Sequence, residues 1–286
     1  MLEDRDTWID PARPEVGDAL FDEAWTHPDD PGRYVLLDAS FSPGLPERLS
    51  RWVEAGDFCS LYAGRYEGDG LDQVAPYLLR LPWVPALRKP LCEKLMRVTQ
   101  GKPMLNLLRS EASLEQLAGH LSAQIEAVNA EGKAYLLRLA DTRSFAALME
   151  VLAPAQRQRL LAGIRRWAYV DRSGALRQIE GSPDFDPDAD TRPYLIAADQ
   201  HRHLNRLALP DAILRFVQLR ASVFGALDCT PAAAHQLIRD GVMRLARRGL
   251  DNEALAYRHA LTLLRSRGLL VSVRHSQESA AFGVES

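Results

Sequence analysis

Two aspartates stand where an acid–base pair would be built. Asp38 closes the apolar run Tyr34-Val35-Leu36-Leu37, and Asp141 follows the run Ala134-Tyr135-Leu136-Leu137-Arg138-Leu139-Ala140. Each is expected at the C-terminal end of a strand, where an open α/β sheet places its ligand crevice, and paired carboxylates there can act as general acid and base. A structural reading competes with this one. Arg138 lies in a run that reads as buried, and a buried guanidinium needs either a partner or a route to water. Asp141 supplies that partner and also an N-cap for the amphipathic segment from Ser144 to Val151. With Arg143 it makes a polar seam between a strand and a helix, and the pattern favours this seam over a reactive centre.

Other chemistry finds less support. His201-Arg202-His203 with Asp199 is the best metal candidate, but the surrounding segment reads as loop or helix start and no third ligand has fitting spacing. No serine sits in a nucleophile elbow; Ser40, after the first strand, lacks the flanking glycines. Gly68-Asp69-Gly70 is a turn, with neither a phosphate loop nor a dinucleotide fingerprint around it. Cys59, Cys92 and Cys229 are odd in number and far apart, which argues for reduced, mostly buried thiols and against a disulfide framework or a zinc knuckle. No cofactor or metal is expected.

The elements that must position these residues follow from periodicity. Strands are predicted at 34–38, 58–64, 77–81, 104–109 and 134–139, with a hairpin of 168–171 and 175–179 around Arg172-Ser173-Gly174. Helices are predicted at 46–55 and 89–98. A capping box of Ser113 and Gln116 opens a helix whose apolar face runs Leu114, Leu117, Leu121, Ile125 and Val128. Two further helical segments hold Phe145, Leu148, Leu152 and then Leu160, Ile164, Trp167. Beyond 193 the texture becomes helical: 211–227, a helix from Thr230-Pro231 to Gly249, and a last one capped by Asp251 and ended by Gly268. The expected fold class is α/β or α+β, an N-terminal lobe with a mixed sheet flanked by helices followed by a small all-helical lobe. Its expected parts are an acidic arm over 1–33, partly extended at best, an α/β domain over 34–180, an acidic proline-rich linker over 181–193, the helical lobe over 194–273, and a flexible tail over 274–286.

Composition bounds the function. The 286 residues are 47% hydrophobic and 26% charged, values of a soluble globular protein. No run approaches the roughly 18 apolar residues of a membrane helix, and the acidic start Met1-Leu2-Glu3-Asp4 lacks a signal-peptide core, so a cytoplasmic location and no membrane contact are expected. The net charge of −3 conceals an asymmetry. Residues 1–33 hold ten acidic side chains and three arginines, a balance of −7, whereas 201–275 hold twelve arginines, no lysine and five acids, a balance of +7. A basic end can face nucleic acid, an acidic protein or the acidic end of its own chain. Because the arginines are dispersed over several helices, nucleic acid is the least favoured of these.

Taken in order, several segments resemble one family. Tyr34-Val35-Leu36-Leu37-Asp38-Ala39 is similar to its opening strand, Cys59-Ser60-Leu61-Tyr62-Ala63-Gly64 to an S-L-aromatic-x-G segment, and Ala75-Pro76-Tyr77-Leu78-Leu79 to an A-P-Y-L segment. Ser113 to Leu121 is similar to its capped helix, and the Arg138–Arg143 junction to an R-aromatic-x-D-P-R signature, with Leu139 in the aromatic position and Thr142 in place of the proline. The family is that of the effector chaperones or adaptors of bacterial type VI secretion systems, often called Tap or TEC proteins. The resemblance covers roughly 34–170. It implies a non-enzymatic cytoplasmic protein whose partners are a secreted toxic effector and the VgrG spike, with Arg138, Asp141, Arg143, Tyr77 and Tyr62 as signature or partner-binding positions. The alternatives from the residues alone are an enzyme using Asp38 and Asp141, or a nucleic-acid-binding protein using the arginine-rich helices.

Overall fold

The computed structural model describes residues 7–22, 31–184 and 191–271, and the chain divides between Ala208 and Leu209 into two compact units. Within the stretch expected as an acidic arm, partly extended at best, the first unit has a helix, α1, Pro14–Phe21. Proline at its start fixes φ for the first turn, and Val16 and Leu20, four apart, are both buried. Of the expected arm, 1–6 and 23–30 lie outside the described residues.

β1 (Gly32–Asp38) lies inside the main sheet. It is followed by α2 (Leu45–Trp52), β2 (Phe58–Ser60), β3 (Pro76–Arg80), α3 (Pro85–Thr99) and β4 (Leu105–Ser110). Next come α4 (Leu114–Ala123), β5 (Glu126–Asn129), β6 (Ala134–Leu136), α5 (Thr142–Val151) and α6 (Pro154–Leu160). The hairpin of β7 (Arg166–Val170) and β8 (Leu176–Glu180) and the short β9 (Tyr194–Ile196) complete the first unit's strands. Six strands form one antiparallel sheet in the order β2-β3-β1-β4-β7-β8. Tyr34 and Leu36 of β1 belong to one core with α4, α5 and α6, while Val35 and Leu37 belong to another with α1, α2 and α3. Burial on both faces is why β1 reads as a continuous apolar run and not an alternating one. The expected fold class is found, and the mixed pairing sits in a smaller sheet, where β5 is antiparallel to β6 and parallel to β9.

Three local readings are corrected by tertiary pairing. The capping-box helix stops at Ala123, not Val128, because Gln124 is held by Tyr194 Oη and Arg159 Nε, both at 2.7 Å, and the chain then pairs as β5. The strand expected over 134–139 ends at Leu136, so Arg138 lies in the turn beyond it. Trp167, spaced for a helix, lies in β7 with its indole nitrogen 3.1 Å from Asn106 Oδ1.

A buried cation ties two helices of the second core. The Arg88 side chain is fully buried and donates to the carbonyls of Phe21 (2.7 Å), Asp22 (3.2 Å), Pro82 (3.2 Å) and Trp83 (2.7 Å). Backbone dipoles thus take the place of water around its charge.

The expected linker differs in its role. Gly181 donates to the Arg165 carbonyl and Gly163 to that of Asp184, so its first residues are fastened to the first unit; 185–190 lie outside the described residues. Past it, β9 joins β5, and the division into units falls within α7 (Ala198–Leu219). From Leu209 the second unit contains the end of α7, then α8 (Ala221–Phe224), α9 (Pro231–Arg247) and α10 (Glu253–Ser266), with a two-residue pairing of β10 (Ala226–Leu227) and β11 (Leu270–Val271). Thr230 caps α9 as expected, whereas α10 is capped by Asn252, not Asp251. Ile213, Val217, Ile238, Val242 and Leu264 centre its core. The expected tail over 274–286 lies outside the described residues.

Candidate functional site

The two aspartates singled out by sequence meet on one guanidinium. β1 ends at Asp38, whose Oδ1 accepts from the backbone nitrogen and hydroxyl of Ser40 (3.0 and 2.6 Å) and so turns the chain into the short helical turn Ala39–Phe41. Its Oδ2 accepts from Arg138 Nη2 at 2.8 Å, and the same nitrogen reaches Ser40 Oγ at 2.7 Å. Arg138 Nη1 lies 3.5 Å from Asp141 Oδ2. Asp141 caps α5, as predicted: its Oδ1 accepts from the backbone nitrogen of Arg143 at 3.0 Å and from Nε at 3.1 Å, and its Oδ2 from Nη2 at 3.0 Å. The Arg143 guanidinium lies over the rings of Trp8 (4.9 Å) and Phe41 (5.3 Å), and that of Arg138 over Phe41 (5.1 Å).

Burial is uneven across this seam. The side chains of Asp38 and Asp141 are 6% and 2% exposed and that of Arg143 11%, but that of Arg138 is 46% exposed. All four carboxylate oxygens accept from this chain's own donors, and those contacts fix the end of β1 and the start of α5. The expectation of a ligand crevice at the strand ends rests on a rule for parallel sheets, and this sheet is antiparallel. Chemically, the arrangement ties three segments together and presents one edge of a guanidinium to the outside.

The remaining expected positions fall elsewhere. Tyr77 is buried in the core with α2 and α3, where burial, and then the charge of Asp72, push its hydroxyl up to about 12. Tyr62 packs against both cores of the first unit. Burial first, and then the charge of Asp38, raise its pKa, and its ring meets Tyr66 edge-on at 5.2 Å. His201 and His203 lie on α7, two positions apart and therefore on diverging faces; His203 Nε2 meets Glu150 Oε1 at 3.2 Å. Among the described residues no group of three metal-ligating side chains assembles. Cys59 and Cys92 are pushed up by burial to about 11 and about 12, and none of the three cysteines is in a disulfide.

Ser40, Phe41 and Trp8 belong to the seam and carry no sequence signal of it. Their place depends on a contact between residues 38 and 138, a hundred positions apart. Two open clefts also mark the first unit. One, of about 580 Å³, lies between β2 and α4, and the other, of about 480 Å³, is bordered by Met149, Arg157, Ile179 and Ser182.

The fold defines an α+β protein whose antiparallel sheet is covered by helices on both faces and is followed by a helical unit. Residues 33–159 match the model of a family described as a domain of unknown function (DUF4123). The matched stretch runs from β1 into α6 and contains Asp38, Tyr62, Tyr77, Arg138, Asp141 and Arg143. No curated protein and no solved structure matches the chain. No described helix is long and apolar enough to cross a membrane.

Proposed function

We propose that this protein is an adaptor that binds a secreted toxic effector of a type VI secretion system and assists its loading onto the VgrG spike. The observation that carries the reading is the match over residues 33–159, within which the resembling segments occur in order. The assembled Arg138–Asp141–Arg143 junction adds to it. Its charges are engaged in holding β1, the turn after β6 and α5 in register, which suits a binding platform better than a reaction centre.

In this reading the protein acts in the cytoplasm, by stoichiometric association and without turnover. The test is co-expression with a candidate toxic effector and a VgrG spike protein of the same type VI secretion system. A complex that survives gel filtration with either one is the expected result. Recovery of the chain free of both would remove the reading.

A further inference from the structure

β2 is one of the two edge strands of the main sheet, β8 being the other, and its pairing leaves backbone groups facing outward. Cys59 is opposite Leu78, and Leu61 N donates to the Pro76 carbonyl at 2.9 Å, so the inward-bonding positions are 59 and 61. The C=O of Phe58 and the N–H of Ser60 therefore point away from β3, with no partner among the described residues; the Phe58 N–H closes the short helical turn Ala55–Asp57, and the Ser60 carbonyl is taken by Ala63. Across the notch stands α4, fastened to the end of β2 by Ser122 Oγ donating to the Leu61 carbonyl at 2.8 Å. Its wall is Ala118, Gly119 and Ser122, and a Cβ added at Gly119 would meet nothing within 4 Å. At one end Glu115 is exposed and has no partner among the described residues, while Arg80, also in the notch, is held by Asp57 at 2.9 Å.

We propose that this notch captures an extended segment of a partner protein by strand addition to β2, with small apolar side chains toward α4 and a lysine or arginine toward Glu115. Backbone groups on an open edge supply the hydrogen bonds, and alternate side chains supply the selectivity. Charge argues for a foreign segment over a second copy. The arginine bordering β2 is already engaged by Asp57, so a second β2 brings no uncommitted cation to Glu115. The inference deepens the adaptor reading, on which only the partner's identity rests.

The test is selection of a phage-displayed library of random peptides, about ten residues long, on the full chain, followed by titration of the labelled consensus peptide. Alternating small or β-branched residues with a Lys or Arg are expected to enrich. Gly119→Trp should weaken the consensus peptide by at least roughly tenfold at unchanged melting temperature. Glu115→Lys should turn the selected charge from basic to acidic. No enrichment, or equal binding by wild type and both variants, overturns the proposal. A dimer in light scattering that Gly119→Trp dissociates would assign the edge to a second copy and overturn it too. Groove-dependent peptide binding in a protein that captures neither toxin nor spike would leave this inference standing and remove the adaptor reading.

Discussion

The seam at Arg138 and the edge at β2 belong to the same unit and dispose of polar groups in opposite ways. At the seam, Asp38 and Asp141 are withdrawn from water, and each oxygen accepts from donors of the same chain. At the edge, the Phe58 carbonyl and the Ser60 N–H are left to solvent. The difference follows from cost. A buried carboxylate without donors is prohibitive, so the donors must be built in, and the residues that supply them become a legible signature. An outward N–H on an edge strand is satisfied by water, which a partner strand can replace. A signature therefore marks where a fold is fastened, and the place where a partner docks can lie elsewhere and leave little trace in the residue types.

If the seam is a fastening, removing its centre should be the most damaging change. Asp141→Ala deletes the cap of α5 and the carboxylate that accepts from Arg143 Nε and Nη2, in a site where Asp141 is 2% exposed. A loss of roughly 3–5 kcal/mol is expected, measured by urea unfolding with the midpoint and slope both recorded. A loss under about 1 kcal/mol would make the seam a surface ornament and dissolve the contrast with the edge.

Arg138→Met separates the two halves of the seam. Asp38 keeps both donations from Ser40, and the guanidinium removed is nearly half exposed, so solvent screens much of its worth. The expected loss is smaller, about 1–2 kcal/mol. A cost equal to that of Asp141→Ala would mean that Arg138, and not the Asp141 cap, is the centre of the fastening.

Much of the frame is legible in sequence because its signals are local. The apolar run of β1, the Ser113–Gln116 capping box, the β7–β8 turn and Thr230-Pro231 each act within a few residues, and each is found. What escapes depends on distant partners. α4 ends early because Tyr194, seventy positions on, takes Gln124, and Trp167 goes to a strand because β4 and β8 flank it. Of the site, Asp141 as cap and partner of Arg143 is readable from its neighbours. The meeting of Asp38 with Arg138 is not, and neither is the open edge, which exists only once β3 has paired on one side of β2 and, among the described residues, no strand on the other.

Adjacent residues of α4 allow the contrast to be sharpened at finer scale. His120 faces inward, with Nε2 3.0 Å from the Leu160 carbonyl, and burial chiefly, with Arg159 adding, holds its pKa below the ordinary 6.5. The unfolded chain then binds the proton more readily than the folded one. This group's contribution is full above about pH 6.5 and erodes as pH falls from there toward the folded value. Unfolding midpoints measured at pH 7.5 and pH 5 should therefore differ less in His120→Gln, whose amide can still donate to Leu160. Glu126, held below its ordinary 4.5 first by the hydrogen bond from Tyr66, acts only at lower pH and does not confuse the comparison. An equal midpoint difference between the two pH values in wild type and His120→Gln would show that His120 is not the buried group on which this argument depends.

Gly119, one position earlier, is exposed and gives the smallest effect. A glycine inside a helix weakens it relative to alanine, and here a methyl group would enter open space. Gly119→Ala is expected to raise stability by about 0.5–1 kcal/mol, read as a higher urea midpoint at constant slope. The same methyl narrows the notch beside β2, so affinity for the selected peptide should fall while stability rises. That opposition is what an open wall produces and a packed one cannot: on a packed face, the added methyl would lower stability as well. A destabilised Gly119→Ala would show that α4 is already covered there, and would close the edge as a place for a partner to enter.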